Sequence, residues 1–188
     1  MEKWLLQEKR ACSAHTHVVA AHGGVDVLVN NAAARARRGG GVLEGDPEEW
    51  DEMTAINLMA PMRLTRRLAP AMVARGGGLI INIASIASVD PLAYVSCYSA
   101  TKFGLRGWSL CCHRSLREHG VKVVCVNPGV VRTGAVMSLP GFEAEHMMTP
   151  DDVAEACLLP LRTGGQCVPE EITLRNLHDA APFMRESP

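Results

Sequence analysis

The residues best suited to chemistry are a tyrosine and a lysine four positions apart, Tyr98 and Lys102. On a helix that spacing brings both side chains out on one face, about a turn apart. An ammonium held near a phenol favours the phenolate and draws an acid of ordinary pKa about 10 toward the range where it exchanges a proton near neutrality. Ser85 closely follows an apolar run, where its hydroxyl could reach the same substrate oxygen. Asn57 is a different kind of signal, a polar amide flanked by Met53, Ile56 and Ala60, with Pro61 four positions later. Proline has no N–H, so the Asn57 carbonyl loses its helical partner, and an unpartnered interior amide costs roughly 1 to 3 kcal/mol. Together these features point to a local opening in which the Asn57 carbonyl holds a water and its side chain braces the neighbouring strand end. Two plainer readings stand beside this one: a solvated Tyr–Lys pair, and a simple proline kink.

Positioning those groups requires alternating strands and helices. Val25–Val29, Leu79–Ile83 and Val121–Val126 are short, β-branched and without polar alternation, as strands covered on both faces are. Each ends in polar or backbone-exposing residues: Asn30 and Asn31, Ser85, and Pro128 with Gly129. Between them, Trp50 to Arg75 carries apolar residues at helical spacing, with Asp46 and Pro47 as its start signal and Gly76–Gly78 as its stop. Tyr98 to about Glu118 is a second long helix, closed by His119–Gly120. Thr149-Pro150-Asp151-Asp152 caps a third helix running to about Leu159, and Glu171–Leu174 is a last strand. Residues 3–22 read as an opening helix stopped by Gly23–Gly24, and 180–188 as a loose tail. This order predicts an α/β fold with a parallel sheet and helices on both faces, in one domain over 1–180. Ligands of such sheets sit beyond the carboxyl ends of the strands, where three polar ends coincide.

Composition removes other classes. A net charge of −1 offers no general nucleic-acid or anionic-membrane surface, and the local run Arg35, Arg37, Arg38 beside Gly39–Gly41 reads as a solvated loop. Charge interrupts every apolar run near the N-terminus, and no segment reaches the ~20 residues of a bilayer span. Seven cysteines, an odd number with no Cys-x-x-Cys pair, predict a reducing, cytoplasmic setting without disulfides. His15 and His17, two apart, turn to different faces of a helix, so no metal site is expected.

Asp26–Ala32, Asn57, Ser85, Tyr98-Ser99-Ala100-Thr101-Lys102 and Val126–Thr133 together resemble the ordered signature set of the short-chain dehydrogenase/reductase family. Ser85 and Tyr98 also stand thirteen residues apart, as is usual there. The resemblance implies an NAD(P)-dependent oxidoreductase that interconverts a carbonyl and an alcohol. In it Tyr98 is general acid or base, Lys102 tunes the phenol and holds the nicotinamide ribose, Ser85 orients the substrate oxygen, and Asn57 secures a water next to Lys102. Asn30, Ala32, Pro128, Gly129, Val131 and Thr133, with Tyr98 and Lys102, would line the cofactor cleft. NADP is favoured over NAD at the level of the family alone. Val136, Met137 and Phe142, with Leu139, Met147 and Met148 nearby, would give an apolar wall for a small hydrophobic alcohol or ketone. A homodimer through helices 50–75 and 98–118 is implied in the same way.

The departures matter as much. A strand, a glycine-rich turn and a helix that receives the pyrophosphate would come first in the family, and no such glycine-rich turn precedes Asp26. The fold expected is therefore an incomplete doubly wound, Rossmann-like sheet in which Val25–Val29 becomes an edge. Ala33 stands where a glycine is usual, and Ala84 where a second serine is common. Two functional classes follow: the catalytic part of an oxidoreductase, or a truncated, inactive scaffold that partners a complete subunit.

Overall fold

A computed structural model describes residues 20–35, 40–138, 141–178 and 180. The first strand, β1 (Val27–Asn30), leads through a long loop to α1 (Pro47–Thr54), a π-helical turn over Ala55–Met59, and α2 (Ala60–Arg75). Next come β2 (Gly78–Ile83), α3 (Ser96–Leu116), β3 (Val121–Pro128), the short α4 (Gly134–Met137), α5 (Pro150–Arg162) and β4 (Glu171–Leu174). The four strands pair in the order β1-β2-β3-β4, all parallel, so each pair is joined by a helical crossover. The registers Asn30 with Asn82 and Cys125 with Glu171 bring the strand ends that carry polar residues to one pole of the sheet.

The apolar runs make this sheet because both its faces are covered. On one face Ile80, Val121 and Val123 pack with Ala69 and Met72 of α2 and Cys112 of α3. On the other, Leu79, Ile81, Ile83, Val124 and Val126 meet Val153, Ala156 and Cys157 of α5. Each fully buried aliphatic side chain contributes about 1.5–3 kcal/mol, so β2 and β3 anchor the molecule. The expectation that the first strand is covered on both faces fails. Val27 and Val29 are 41% and 48% exposed while Leu28 packs into the core, because β1 lies at the sheet edge, beyond the reach of α5.

Other boundaries differ in instructive ways. The helix through Trp50–Arg75 starts as expected, with Pro47 at its first position and Asp46 as N-cap accepting from the Glu48 N–H, but it is broken by the π-turn rather than running as one piece. There the Ala60 N–H reaches back five residues to the Ala55 carbonyl, beside the Pro61 that can give Asn57 no N–H. Thr149 and Asp152 form the expected reciprocal capping box of α5. The far end of α5 is closed from β3: the Lys122 ammonium donates to the carbonyls of Pro160, Thr163 and Gly164 at 3.0–3.3 Å. Ala180, assigned to a loose tail, is buried, and its carbonyl accepts from the Glu143 N–H. Most of the opening helix (residues 3–19), Arg37, Arg38, Gly39, Leu139, Cys12, His15, His17 and residues 181–188 lie outside the described residues, whereas 20–22 are helical. The six described cysteines are free thiols.

Two glycines close the pole opposite the polar strand ends. Gly76 (φ 72°) ends α2 and Gly120 (φ 75°) ends the turn after α3, and a Cβ on Gly120 would run into the Gly76 carbonyl. Gly120→Ala therefore meets both left-handed backbone strain and a backbone clash, and is expected to lower stability by about 2 kcal/mol or more in urea unfolding, whereas Gly107→Ala, an open site, stays near neutral or gains.

Candidate functional site

At the polar pole, the π-turn presents Asn57 fully buried. Its Oδ1 accepts from the Ala34 N–H at 2.7 Å and its Nδ2 donates to the Ala34 carbonyl at 2.9 Å, so the amide clamps the loop that leaves β1. Nδ2 also donates to the Thr101 hydroxyl at 3.1 Å, and Thr101 donates to the Tyr98 carbonyl at 2.8 Å. The bracing expected of the Asn57 side chain is thus made to the loop and to α3 together.

Ser85 lies at the exit of β2 in extended backbone and caps a short turn over Ile86–Ser88, its hydroxyl accepting from the Ala87 N–H at 3.2 Å. The same hydroxyl acts on the Tyr98 phenol in the sense of lowering its pKa. Lys102, one turn along α3, is 2% exposed; its Nζ donates to the Ile83 carbonyl at 2.8 Å and stands 5.6 Å from the Tyr98 ring centre. The structure thus brings Ser85, Tyr98, Lys102 and Asn57 to the same pole, Asn57 reaching Tyr98 through Thr101.

The electrostatics depart from expectation. Burial raises the Tyr98 phenol above its ordinary value of 10, and the Ser85 hydrogen bond offsets only part of that rise. Burial likewise pushes Lys102 down to about 8, with nearby Cys125 acting the other way. The phenol drawn toward neutrality by Lys102 is thus replaced by a phenol that resists ionisation, because desolvation is the larger effect and the ammonium is tied to the Ile83 carbonyl.

The residues assigned to a cofactor divide into two sets. Asn30 is buried, and its Nδ2 donates to Asn82 Oδ1 at 2.7 Å. Asn31, Ala32 and Ala33 are exposed beyond it. Pro128 ends β3, and Gly129 packs so closely against Asn176 and Met148 that a Cβ has no room. Val131 bridges to Met148, and Thr133 caps α4. Of the apolar wall, Val136 and Phe142 are half-buried and Met137 is 50% exposed, on the segment that follows β3.

Several structural partners were not singled out in the sequence. Asn82 donates to Ser109 at 2.9 Å, joining β1, β2 and α3. Asn176 accepts from the Val130 N–H and donates to the carbonyls of Val130 and His146, fixing the loop after β3. A polar residue in the apolar run Leu79-Ile80-Ile81-Asn82-Ile83 was the available signal for Asn82; nothing comparable marked Asn176.

A family model described as short chain dehydrogenase matches residues 6–143. Dehydrogenase/reductase SDR family member 4 of Bos taurus is 37% identical over 112 residues, 60% of this chain and 40% of that protein, and an uncharacterized oxidoreductase of Thermotoga maritima is 39% identical over 112 residues, 43% of its length. The matches thus span less than half of these curated relatives. Among solved structures, a metagenomic short-chain oxidoreductase in complex with NADP superposes with a TM-score of 0.73 at 37% identity, covering 90% of this chain and 69% of that one. An alcohol dehydrogenase from Thermococcus sibiricus complexed with 5-hydroxy-NADP gives 0.77 at 27% identity, with 88% and 68% covered.

The Lys102 environment carries a pH signature. Between its folded value of about 8 and its ordinary 10.5, the folded chain has released a proton that the unfolded chain keeps, so stability rises with pH across that window and is lost as pH falls through 8. Lys102→Met removes this contribution. The stability difference between wild type and variant is expected to change by roughly 3 kcal/mol from below pH 8 to above pH 10.5, read from urea unfolding; a difference independent of pH contradicts the burial of a titrating ammonium.

Proposed function

Because the chain belongs to the short chain dehydrogenase family, we propose that it is the catalytic part of an NAD(P)-dependent oxidoreductase interconverting a small apolar carbonyl and its alcohol. The observation that carries this reading is buried Lys102 one turn from Tyr98, its Nζ 5.6 Å from the ring centre, with Ser85 acting on the same phenol. When bound, the nicotinamide supplies or accepts the hydride. The chain manages the proton. In reduction the Tyr98 phenol donates its proton to the substrate oxygen while the Ser85 hydroxyl holds that oxygen in place, and in oxidation the phenolate takes the proton back.

The residues present fit the nicotinamide end of such a cofactor. An ammonium has three N–H donors, and Lys102 directs one to Ile83, which leaves donors suited to ribose hydroxyls. Bringing a ribose beside Lys102 and completing its hydrogen bonds favours the charged ammonium, which in turn lowers the phenol. The Asn57 carbonyl, deprived of its N–H partner by Pro61, is the acceptor proposed for the water that links Lys102 to solvent. Gly129 and Thr133 would meet the nicotinamide, and Val136, Met137 and Phe142 the apolar substrate. The NADP complexes among related structures favour NADP. Among the described residues no helix is long and apolar enough to cross a membrane.

A homodimer through α2 and α3 is supported by an apolar groove of about 320 Å³ between them, lined by Thr65, Ala69, Val73, Trp108, Cys111 and Leu116. The second reading, a scaffold that partners a complete subunit, is favoured by the edge position of β1 and its exposed valines.

Two measurements separate these readings. In a protein that includes the glycine-rich cofactor unit, Tyr98→Phe is expected to abolish nearly all carbonyl reduction while leaving cofactor affinity close to wild type, since the ring keeps its shape and loses only the proton; retention of most turnover would overturn the assignment. For residues 1–188 alone, loss of pyrophosphate contacts worth ~4 kcal/mol weakens NADPH binding about a thousandfold, to the millimolar range. Calorimetric titration finding micromolar affinity would show that another part of the chain replaces the missing turn.

A further inference from the structure

A chain of polar groups runs from the surface to Ser85. Arg106, one turn beyond Lys102 on α3, grips Glu171 at the start of β4 with both Nε and Nη2, at 2.7 and 3.1 Å. Glu171 Oε1 also accepts from Asn127 Nδ2 at 2.8 Å, and Asn127 Nδ2 lies 3.3 Å from the Thr173 hydroxyl. The opposite end of that amide, Oδ1, accepts from the Ser88 hydroxyl at 2.9 Å and from the Cys125 thiol at 3.4 Å. Ser88 Oγ is 2.6 Å from the Ser85 carbonyl, which also accepts from the Ser88 N–H at 2.9 Å. Asn127 and Ser88 are fully buried, so water has no access to replace these contacts.

Resting on the reading of Ser85 and Tyr98 as the proton-handling pair, we propose that Arg106, Glu171, Asn127 and Ser88 form a directional hydrogen-bond chain that sets the position of the Ser85 hydroxyl, with Arg106 and Glu171 as positioning residues. Direction follows from counting donors. A carboxylate only accepts, so Glu171, fixed by the guanidinium fork, turns the NH₂ of Asn127 toward itself and the carbonyl oxygen toward Ser88. Ser88 has one hydroxyl proton and two acceptors in reach, Asn127 Oδ1 and the Ser85 carbonyl. Reversing the amide would put an N–H donor against Ser88 and drive its proton wholly onto the Ser85 carbonyl. The charge on β4 thereby decides how the turn over residues 85–88 is held, and with it where the Ser85 hydroxyl stands relative to the phenol.

The phenol itself reports on this, and the readout needs no turnover. The chain has two tyrosines, and Tyr94, raised to about 12 by burial and by Tyr98, is removed by Tyr94→Phe. In that background Tyr98 is titrated through phenolate absorbance or a labelled Cζ, with folding checked by circular dichroism at each pH. Ser88→Ala and Glu171→Gln are each expected to raise the Tyr98 midpoint by at least about half a pH unit, and the double variant to match the larger single shift, as members of one chain do. The sign is discriminating: removing a negative charge through space lowers a phenol, so a rise in Glu171→Gln requires a lost hydrogen bond. An unmoved or lowered midpoint, or additive shifts, would overturn the proposal. Should Glu171→Gln fail to fold, Arg106→Lys keeps the charge and loses the fork, and a midpoint identical to the parent in that variant also overturns it. Tyr98→Phe with retained turnover would instead remove the catalytic reading and leave these shifts standing.

Discussion

An amide cannot be left unpaired inside an apolar sheet, and the polar pole of this molecule is organised by that constraint. Asn30, Asn57, Asn82 and Asn127 are all buried, and each satisfies itself by reaching to a different element. Asn30 and Asn82 tie the first two strands to α3 through Ser109, Asn57 ties the loop after β1 to α3 through Thr101, and Asn127 ties β3 to β4 and to the turn bearing Ser88. Remove any one partner and a desolvated donor or acceptor remains, at about 1–3 kcal/mol. The groups proposed to handle a proton are thus held by a lattice that cannot relax piecemeal.

Within that lattice the ionisable groups are kept in their neutral-leaning forms. Desolvation raises Tyr98, lowers Lys102 to about 8 and raises Cys125 to about 11, so near neutrality the phenol and the thiol hold their protons while Lys102 remains an ammonium whose charge is only weakly favoured. A partner that satisfies the ammonium therefore shifts the balance of the whole pole.

Much of this was legible in the sequence, for physical reasons that differ by element. Fully buried parallel strands announce themselves as unbroken apolar runs, so β2 and β3 were placed to within one or two residues, and β4 was placed without error. The Tyr98–Lys102 spacing and the Asn57–Pro61 interval carry geometry directly, because a helix turns spacing into a shared face and a proline removes a named donor. The exposure of Val27 and Val29 was misread, since an apolar run looks the same whether or not a helix lies over it. The raised phenol was misread because spacing reports proximity of a cation and is silent about desolvation. Arg106 and Glu171 are 65 residues apart and each looks like an ordinary surface charge, so only the fold could pair them.

The contact between Gly76 and Gly120 divides the molecule into two mechanical halves. At that pole α2 passes into β2, and the turn after α3 into β3, with backbone touching backbone, and one inserted residue would slide a helix by about 1.5 Å and rotate it by roughly 100° against the sheet. At the opposite pole the loops after β1, β2 and β3 are long and fastened by side chains. A length change at the glycine pole is therefore felt by every helix and strand at once, whereas one in a loop of the opposite pole is felt only as far as the side chains that fasten it.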